Sequence, residues 1–341
     1  MLINKSKISC STLFLRVFTW YIFSNPIRYM VYDYMIRIEN VVKKFNGETV
    51  LNGVNLEIRE REIVVLLGPN GSGKTTLMKI IVGVLRPNEG RVLVYGKEPY
   101  VSLNVKGKIG YIPQEPLLFD NLTGYENYMF YASLHGVEKE AKERLENIKK
   151  ILDIGEWFHK KLVKTYSGGM IRKTNIAVSL SHDPQLLVMD EPTVGLDPNA
   201  RRSLWDIILR LKEQGKTMII ATHLFEDAEV LADRVIVMYK GRISRVGTVE
   251  ELKNSIPYKF AIEIEFAAEP DGKILEAIKS CCDESKMLKI GFTYRLLTND
   301  LSIVSTLEKK LSDVSPRLLK LEARRISLDD VYFLITGVRL K

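Results

Sequence analysis

The sequence predicts an α/β fold: a mainly parallel sheet with an inserted helical subdomain, followed by a small α+β domain. Short apolar runs alternate with helical patterns along most of the chain, which is typical of a parallel sheet covered by helices. The strand signal is lost over residues 120–165, where apolar positions follow helical spacing. Near residue 257 the pattern changes to strands that alternate apolar and polar side chains. We therefore predict an α/β domain over residues 35–255, its helical subdomain over about 115–180, and an accessory domain over 256–341.

The composition is that of an ordinary globular chain. Its 341 residues are 46% hydrophobic and 27% charged, with a formal net charge of +8, and this length suggests two or three domains. The basic residues are dispersed through the sequence, so we expect no nucleic acid as a partner. Cys10, Cys281 and Cys282 lack metal-ligand spacing, and the adjacent pair is a poor candidate for a structural disulfide, so a reducing cytosol fits best.

Residues 1–34 form a separate N-terminal extension that is apolar and aromatic. Its charge-free run from Val17 to Ile27 holds 11 residues, whereas a membrane-spanning helix needs roughly 20. A signal peptide would need a small-residue cleavage site, and none is evident. Three interpretations stay open: an anchor at the membrane surface, a docking segment, or translated upstream sequence that is not native, since Met35 reads as a natural start.

The first strands lead to a phosphate-binding loop. Turns are predicted at Asn46-Gly47 and Asn52-Gly53, and Ile63 to Leu67 is continuously apolar, as a strand buried on both faces requires. The segment GPNGSGKTT follows this strand and opens a helix, which is the context of a phosphate loop. Its backbone N–H groups are expected to wrap the phosphates, Lys74 to reach the β- and γ-phosphates, and Thr75 to ligate Mg²⁺. The predicted nucleotide-binding residues are Gly68, Pro69, Asn70, Gly71, Ser72, Gly73, Lys74, Thr75 and Thr76.

A second helix start in the chain also has the chemistry of an anion site. In TYSGGMIRK the paired Gly168 and Gly169 follow Ser167 and precede a basic, helix-like segment. Backbone N–H groups exposed at such a helix start favour an anion. The sequence thus predicts two anion-binding helix starts in one chain, far apart along the sequence.

Two later apolar strands end in polar side chains. LLVMDEP ends in Asp190 and Glu191, where a P-loop ATPase has its Mg²⁺-binding acid and a carboxylate that reaches the attacking water. TMIIATH ends in His223, for which we favour a γ-phosphate contact over a structural role, because the carboxyl ends of parallel strands share one crevice. Gln114 lies on a turn before the helical subdomain. An aromatic such as Phe45 is usually a core residue, but its polar neighbours permit an exposed ring that stacks on a base.

After residue 257, strand and helix patterns follow in the order βαββαβ. This is the order of a ferredoxin-like unit. Two short strands are predicted around Gly291, and a short helix is predicted in SLDDVYFLITG.

Six segments in a fixed order resemble those of the ATP-binding cassette (ABC) ATPases: GPNGSGKTT, IPQE, YSGGM, LLVMDEP, GLD and ATH. The resemblance covers about residues 35–255, and the SGG segment just upstream of MDEP is highly specific among P-loop folds. It implies a P-loop NTPase sheet and an ATPase with ATP and Mg²⁺ as cofactors. It also implies that two ATPase subunits pack head to tail, so that the SGG segment of one closes over the ATP held by the other.

The same resemblance implies a role for each matching residue. Phe45 would stack on adenine, and Gln114 would contact Mg²⁺ and relay to the membrane partner. Asp190 would help to hold Mg²⁺, Glu191 would be the general base, and His223 would bind the γ-phosphate. Ser167, Gly168 and Gly169 would serve the γ-phosphate of the second subunit, and Asp197 would cross the dimer interface.

The particular residues within these motifs resemble those of the drug- and polysaccharide-exporter branch of this family. The features that carry this likeness are YSGGM, with Met170 after the glycines, VGLDP and the closing SLDDVYFLITG. It implies a separate integral membrane permease, a second ABC ATPase subunit, and a cytoplasmic location at the inner face of the cell membrane. The alternatives are an importer ATPase and a soluble ABC ATPase not tied to transport. The 53 positions from Gln114 to Ser167 are too few for the long coiled coil of the DNA-repair members.

Overall fold

The computed structural model describes residues 34–281, 287–312 and 318–336, so the interpretations of residues 1–34 lie, Tyr34 apart, outside the described residues. The strands are β1 (Ile36–Phe45), β2 (Glu48–Ile58), β3 (Ile63–Leu67), β4 (Glu89–Val94), β5 (Ile109–Ile112), β6 (Leu186–Asp190), β7 (Thr217–Thr222), β8 (Arg234–Tyr239), β9 (Arg242–Gly247), β10 (Phe260–Phe266), β11 (Met287–Ile290), β12 (Thr293–Thr298) and β13 (Leu318–Arg325). The helices are α1 (Lys74–Ile81), α2 (Leu103–Lys106), α3 (Gly124–Leu134), α4 (Glu138–Leu152), α5 (Trp157–Lys160), α6 (Gly168–Ser179), α7 (Pro198–Glu213), α8 (Phe225–Leu231), α9 (Val249–Asn254), α10 (Gly272–Lys279), α11 (Ser302–Ser312) and α12 (Leu328–Thr336).

A six-stranded sheet with the order β5-β6-β7-β3-β8-β9 forms the centre of the α/β part. The strands from β5 to β8 in this order pair in parallel, and β9 returns antiparallel to β8 as a hairpin. Every side chain of β3 is buried, and alternate side chains enter two different hydrophobic clusters on the two faces. The parallel sheet and the doubly buried strand that the sequence predicts are therefore confirmed.

A second, antiparallel sheet of order β2-β1-β4 packs beside the first. The turn predicted at Asn46-Gly47 connects β1 and β2, but the turn predicted at Asn52-Gly53 is wrong, because β2 runs through it. At this point the β1–β2 register shifts between Val41 and Lys43, and Gly53 has a φ of 69°. The dipeptide therefore forms a bulge within a strand, which accommodates positive φ values just as a turn does.

Helices α3 to α6 lie between β5 and β6 and form the helical insertion. They share one hydrophobic cluster with the central sheet, here called the main cluster, whose buried members include Ile63, Tyr128, Phe158, Leu187, Leu211 and Tyr332. The insertion is therefore packed onto the same core that holds the strands. Among the described residues, none of these helices or the others is both long and apolar enough to cross a bilayer.

The C-terminal strands form a four-stranded antiparallel sheet of order β11-β12-β10-β13. The first and third strands of the βαββαβ unit are thus central and the second and fourth lie at the edges, as in a split βαβ unit. One face of this sheet, with Ile262, Ile264 and Leu296, packs against α10 and α11. The ferredoxin-like arrangement expected from the strand order is therefore present.

Helix α12 lies between this sheet and the main cluster. On one side, Arg295 Nη1 donates to Asp329 at 2.8 Å and to Asp330 at 2.7 Å. On the other side, Leu328 and Tyr332 are buried members of the main cluster, and the Tyr332 ring lies 5.9 Å from that of Phe225. The helix that follows the accessory strands thus completes the core of the α/β part.

Candidate nucleotide-binding site

The carboxyl ends of four neighbouring parallel strands bring the predicted site together. β3 leads into the phosphate loop, β5 to Gln114, β6 to Asp190 and Glu191, and β7 to His223. A cleft of about 280 Å³ opens at this edge. Its lining residues are Val50, Pro69, Asn70, Gly71, Gly73, Lys74, Thr75, Thr76, Gln114 and Glu191.

The phosphate loop needs glycine at positions that other residues cannot fill. A Cβ atom on Gly68 would lie 2.4 Å from the Met238 carbonyl oxygen and 2.8 Å from Ser72 Oγ. Gly73, which precedes the first turn of α1, has a φ of 101°, a backbone conformation that favours glycine. Ser72 is buried, and its hydroxyl has no hydrogen-bond partner among the described residues. The loop is therefore held against the sheet by close backbone contacts.

Lys74 is a buried ammonium with a ring of oxygen partners. Its Nζ donates to the carbonyl oxygens of Gly68 at 2.7 Å and Pro69 at 3.2 Å, and lies 3.4 Å from Glu191 Oε1. Burial lowers the pKa of Lys74, and the nearby Glu191 carboxylate acts in the opposite direction. A phosphate oxygen would supply further negative charge to this desolvated cation.

Glu191 connects Lys74 to His223. Its Oε2 lies 3.0 Å from His223 Nδ1, and its side chain is 6% exposed. Its backbone has a φ of 48°, in the left-handed region that non-glycine residues seldom adopt, and its N–H donates to the Ala221 carbonyl at 2.9 Å. Strained backbone of this kind is concentrated at functional sites. The three side chains form a continuous contact chain at the edge of the cleft.

Asp190 is buried and lies next to Thr75 of the first turn of α1. Burial raises its pKa, and a hydrogen bond with the Thr75 side chain opposes that rise. Its Oδ1 atom is buried and has no hydrogen-bond partner among the described residues. A carboxylate oxygen in this condition, next to a hydroxyl, suits a hard cation such as Mg²⁺.

The SGG segment lies at a different pocket. Ser167 is the N-cap of α6 and accepts from the Met170 N–H at 3.3 Å. Ser167 and Gly169 line a pocket of about 300 Å³ together with residues of α7, and this pocket shares no lining residue with the phosphate cleft. The structure therefore does not bring the SGG segment to the phosphate loop of its own chain.

The two remaining predicted residues do not line the cleft. Phe45 is 42% exposed, and the Lys43 ammonium lies 5.0 Å from its ring. Asp197 is the N-cap of α7 and accepts from the N–H groups of Asn199 at 2.9 Å and Ala200 at 3.0 Å. The Phe45 ring is therefore exposed rather than part of the core, and Asp197 caps helix α7 of its own chain.

Sequence reasoning missed residues that link the site segments. Arg172 Nη1 donates to the Gln114 carbonyl at 2.9 Å, which joins the helix after the SGG segment to the glutamine turn. Asp227, at the start of α8, is fully buried and accepts from Thr193, Thr222 and Trp205. The sequence shows the basic run after SGG and the acidic first turn of α8. Neither pattern indicates which residues, distant in the sequence, Arg172 and Asp227 contact.

Comparisons with known proteins agree with this geometry. The sequence profile described as ABC transporter matches residues 51–194. The linearmycin resistance ATP-binding protein LnrL of Bacillus subtilis (strain 168) is 31% identical over 318 residues, which cover 90% of this chain and 100% of the relative. The daunorubicin resistance ATP-binding protein DrrA3 of Streptomyces coeruleorubidus is 35% identical over 67% of this chain and 70% of its own.

A solved structure gives the same result. The dimeric ATP-binding cassette MJ0796, in a post-hydrolysis state bound to ADP and Pi, superposes with a TM-score of 0.57 and 28% identity. The match covers 63% of this chain and 98% of that one. With a relative matched over its whole length and the site residues assembled at one sheet edge, the chain belongs to the ATP-binding proteins of ABC transporters.

Proposed function

We propose that this chain hydrolyses ATP to drive the export of a toxic compound through a separate membrane permease. The observation that carries the proposal is the contact chain at the phosphate cleft, in which buried Lys74 and Glu191 lead to the partly exposed His223. The relatives named for linearmycin and daunorubicin resistance support export rather than import.

In this proposal Glu191 is the general base. Its Oε2 faces His223, so its Oε1, which faces Lys74, takes the proton from the water that attacks the γ-phosphorus. The water oxygen forms a bond to phosphorus, the bond to the β-phosphate oxygen breaks, and ADP and phosphate result. Lys74 would exchange Glu191 and the loop carbonyls for phosphate oxygens, and His223 would contact the γ-phosphate.

The residues around Asp190 fit a Mg²⁺ ion. The unpartnered Asp190 Oδ1, the Thr75 hydroxyl and the Gln114 side chain would hold it. When bound, the ion would neutralise charge on the β- and γ-phosphate oxygens. Phe45, with its exposed ring, would stack on the adenine.

A second ATPase subunit would complete each site. Ser167 and Gly169 line a pocket separate from their own phosphate loop, which supports a role for Ser167, Gly168 and Gly169 at the nucleotide of a partner chain. Asp197 would lie at the same interface. Such a head-to-tail pair predicts that two inactive variants rescue each other.

The test mixes Lys74→Ala with Ser167→Arg under conditions of subunit exchange. In the mixed dimer one site combines both lesions, whereas the other has an intact Lys74 and an intact Ser167. We expect ATP occlusion to return in the mixture and not in either homodimer. If labelled subunits exchange and no occlusion returns, the shared-site proposal is wrong.

An exposed apolar surface next to the glutamine turn supports a membrane partner. Leu117, Phe119, Phe130 and Leu134 are between 39% and 65% exposed, and the rings of Phe119 and Phe130 lie 4.9 Å apart. Exposed apolar groups that cluster in this way mark interaction sites. We propose that the permease docks here, which would hold the chain at the cytoplasmic face of the membrane.

The soluble-ATPase alternative is less well supported. Between Gln114 and Ser167 the helices α3, α4 and α5 have 11, 15 and 4 residues, too few for an arm that reaches DNA. A six-helix membrane protein encoded beside this chain would support the transporter. Co-purification of that protein with the wild type, but not with Phe130→Ser, would test the docking surface.

The single most informative experiment is the Glu191→Gln variant. The amide occupies the same space but cannot accept the proton, so turnover should fall about 10²–10⁴-fold while ATP binding is kept. Glu213→Gln, an exposed change on α7, is the matched control and should keep full activity. ATPase activity of Glu191→Gln within a few-fold of wild type would remove Glu191 from the base role.

A further inference from the structure

Asp227 is a fully buried carboxylate outside the cleft. Asp227 lies on the first turn of α8 and is 0% exposed. Its Oδ2 accepts hydrogen bonds from the Thr193 hydroxyl and, at 2.8 Å, from the Thr222 hydroxyl, and its Oδ1 accepts from Trp205 Nε1 at 2.8 Å. A buried carboxylate with three donors from separate segments is a fixed junction.

Two of the three donors lie beside residues with a proposed role in ATP hydrolysis. Thr193 follows Glu191 by two positions, and Thr222 directly precedes His223. Trp205 lies on α7, the helix that Asp197 caps. Thr222 Oγ1 also accepts from the Leu224 N–H at 3.0 Å, which fixes the turn around His223.

The contact between Glu191 and His223 depends on both of these segments. Glu191 has a φ of 48°, and its Oε2 is 3.0 Å from His223 Nδ1. A backbone in this region persists only when its surroundings hold it there. Asp227 links the segment that follows Glu191 to the residue that precedes His223.

We propose that Asp227 is a positioning residue that holds Glu191 and His223 in register for hydrolysis. The inference rests on the proposed function, since it takes Glu191 as the base and His223 as the γ-phosphate contact. Asp227 itself touches neither nucleotide nor water in this proposal. Its loss should therefore affect the chemical step rather than the binding of ATP.

The experiment removes one threonine hydroxyl at a time and measures ATPase kinetics and binding of mant-ATP. Thr193→Val and Thr222→Val keep the side-chain shape but lose the hydroxyl, whereas Thr193→Ser and Thr222→Ser keep it. We expect kcat to fall about 10–100-fold in each valine variant, with the Kd for mant-ATP changed by less than about threefold. The serine variants should restore kcat.

Asp227→Asn is the direct variant, and it should lower kcat to a similar extent. Combining it with Thr193→Val should give a non-additive effect, because both changes disturb the same hydrogen-bonded junction. Asp330→Asn is the matched control: it is also a buried aspartate, 1% exposed, on the first turn of α12. It should lower the melting temperature and leave kcat unchanged at temperatures where it is folded.

The outcomes separate this inference from the function on which it rests. If Glu191→Gln is inactive while both valine variants keep wild-type kcat and only melt earlier, Asp227 is purely structural and the inference is wrong. If Glu191→Gln retains turnover, the base assignment fails, and the inference fails with it. If Asp227→Asn does not fold, the valine and serine pairs decide the question alone.

Discussion

We predict that His182, a partly buried histidine stacked on His135, makes the ATPase body lose stability in mild acid. The rings of His182 and His135 are stacked 3.9 Å apart at an interplanar angle of 7°. His182 Nε2 lies 3.2 Å from the Ile109 carbonyl, which can only accept, so Nε2 carries the proton. Nδ1 is buried and has no hydrogen-bond partner among the described residues. Burial, helped by His135, lowers the pKa of His182 to about 4.

The sign and size of the effect follow from proton linkage. The unfolded chain binds a proton at the ordinary pKa of 6.5, whereas folded His182 binds it at about 4. The contribution of neutral His182 to the stability of the fold is therefore complete above the ordinary pKa of 6.5 and is lost as the pH falls towards 4. At 1.36 kcal/mol per pH unit, the loss relative to pH 7 is about 2 kcal/mol at pH 5 and about 3 kcal/mol at pH 4.

The test compares urea unfolding of wild type and His182→Gln at pH 7, 6 and 5, followed by tryptophan fluorescence. The glutamine amide can still donate to Ile109 but does not titrate. The stability difference between the two proteins should therefore change by about 2 kcal/mol from pH 7 to pH 5. His159→Gln, at an exposed position on α5, is the control and should follow wild type. If His182→Gln loses as much stability as wild type over this range, the reasoning is refuted.

Three further predictions concern the site and its support. Asp190→Asn should raise the melting temperature of the nucleotide-free protein at pH 7, because burial raises the pKa of Asp190 and ionisation of its carboxyl above that pKa opposes folding; the gain should vanish below pH 3.8. In thermal-shift assays the same variant should lose the Mg²⁺-dependent stabilisation by ATP. Gly68→Ala should weaken ATP binding about tenfold or more in equilibrium titrations, because the added methyl meets the Met238 carbonyl at 2.4 Å. Tyr332→Ala should destabilise the ATPase body by about 3–5 kcal/mol in denaturant unfolding, and an unchanged midpoint would exclude α12 from that core.

The sequence predicted which strand ends meet at the sheet edge better than it predicted the contacts around them. Gln114, Asp190, Glu191 and His223 follow apolar runs, and the carboxyl ends of parallel strands must share an edge, so their meeting could be foreseen without knowing the strand order. The roles of Phe45 and of the SGG segment stay predictions, because they concern a nucleotide or a second chain.

What could not be predicted depends on partners distant in the sequence. An acidic residue in the first turn of a helix, such as Asp227, is also favoured by the helix dipole, so its position does not reveal a buried junction. The pair Asn52-Gly53 permits positive φ in a turn or in a bulge, and only the pairing with β1 decides which. The helical pattern of SLDDVYFLITG indicates an apolar face but not which core receives it.

The docking of α12 makes the ferredoxin-like unit an insertion rather than an appendage. The chain enters the unit at Lys259 and leaves it at Ile326, and the Ile326 N–H donates to the Lys259 carbonyl at 3.2 Å. Because the entering and leaving segments are adjacent, another domain whose own termini lie close together could replace the unit at this position. Such a chimera would retain α12, whereas a chain cut at the same point would lose part of the ATPase core.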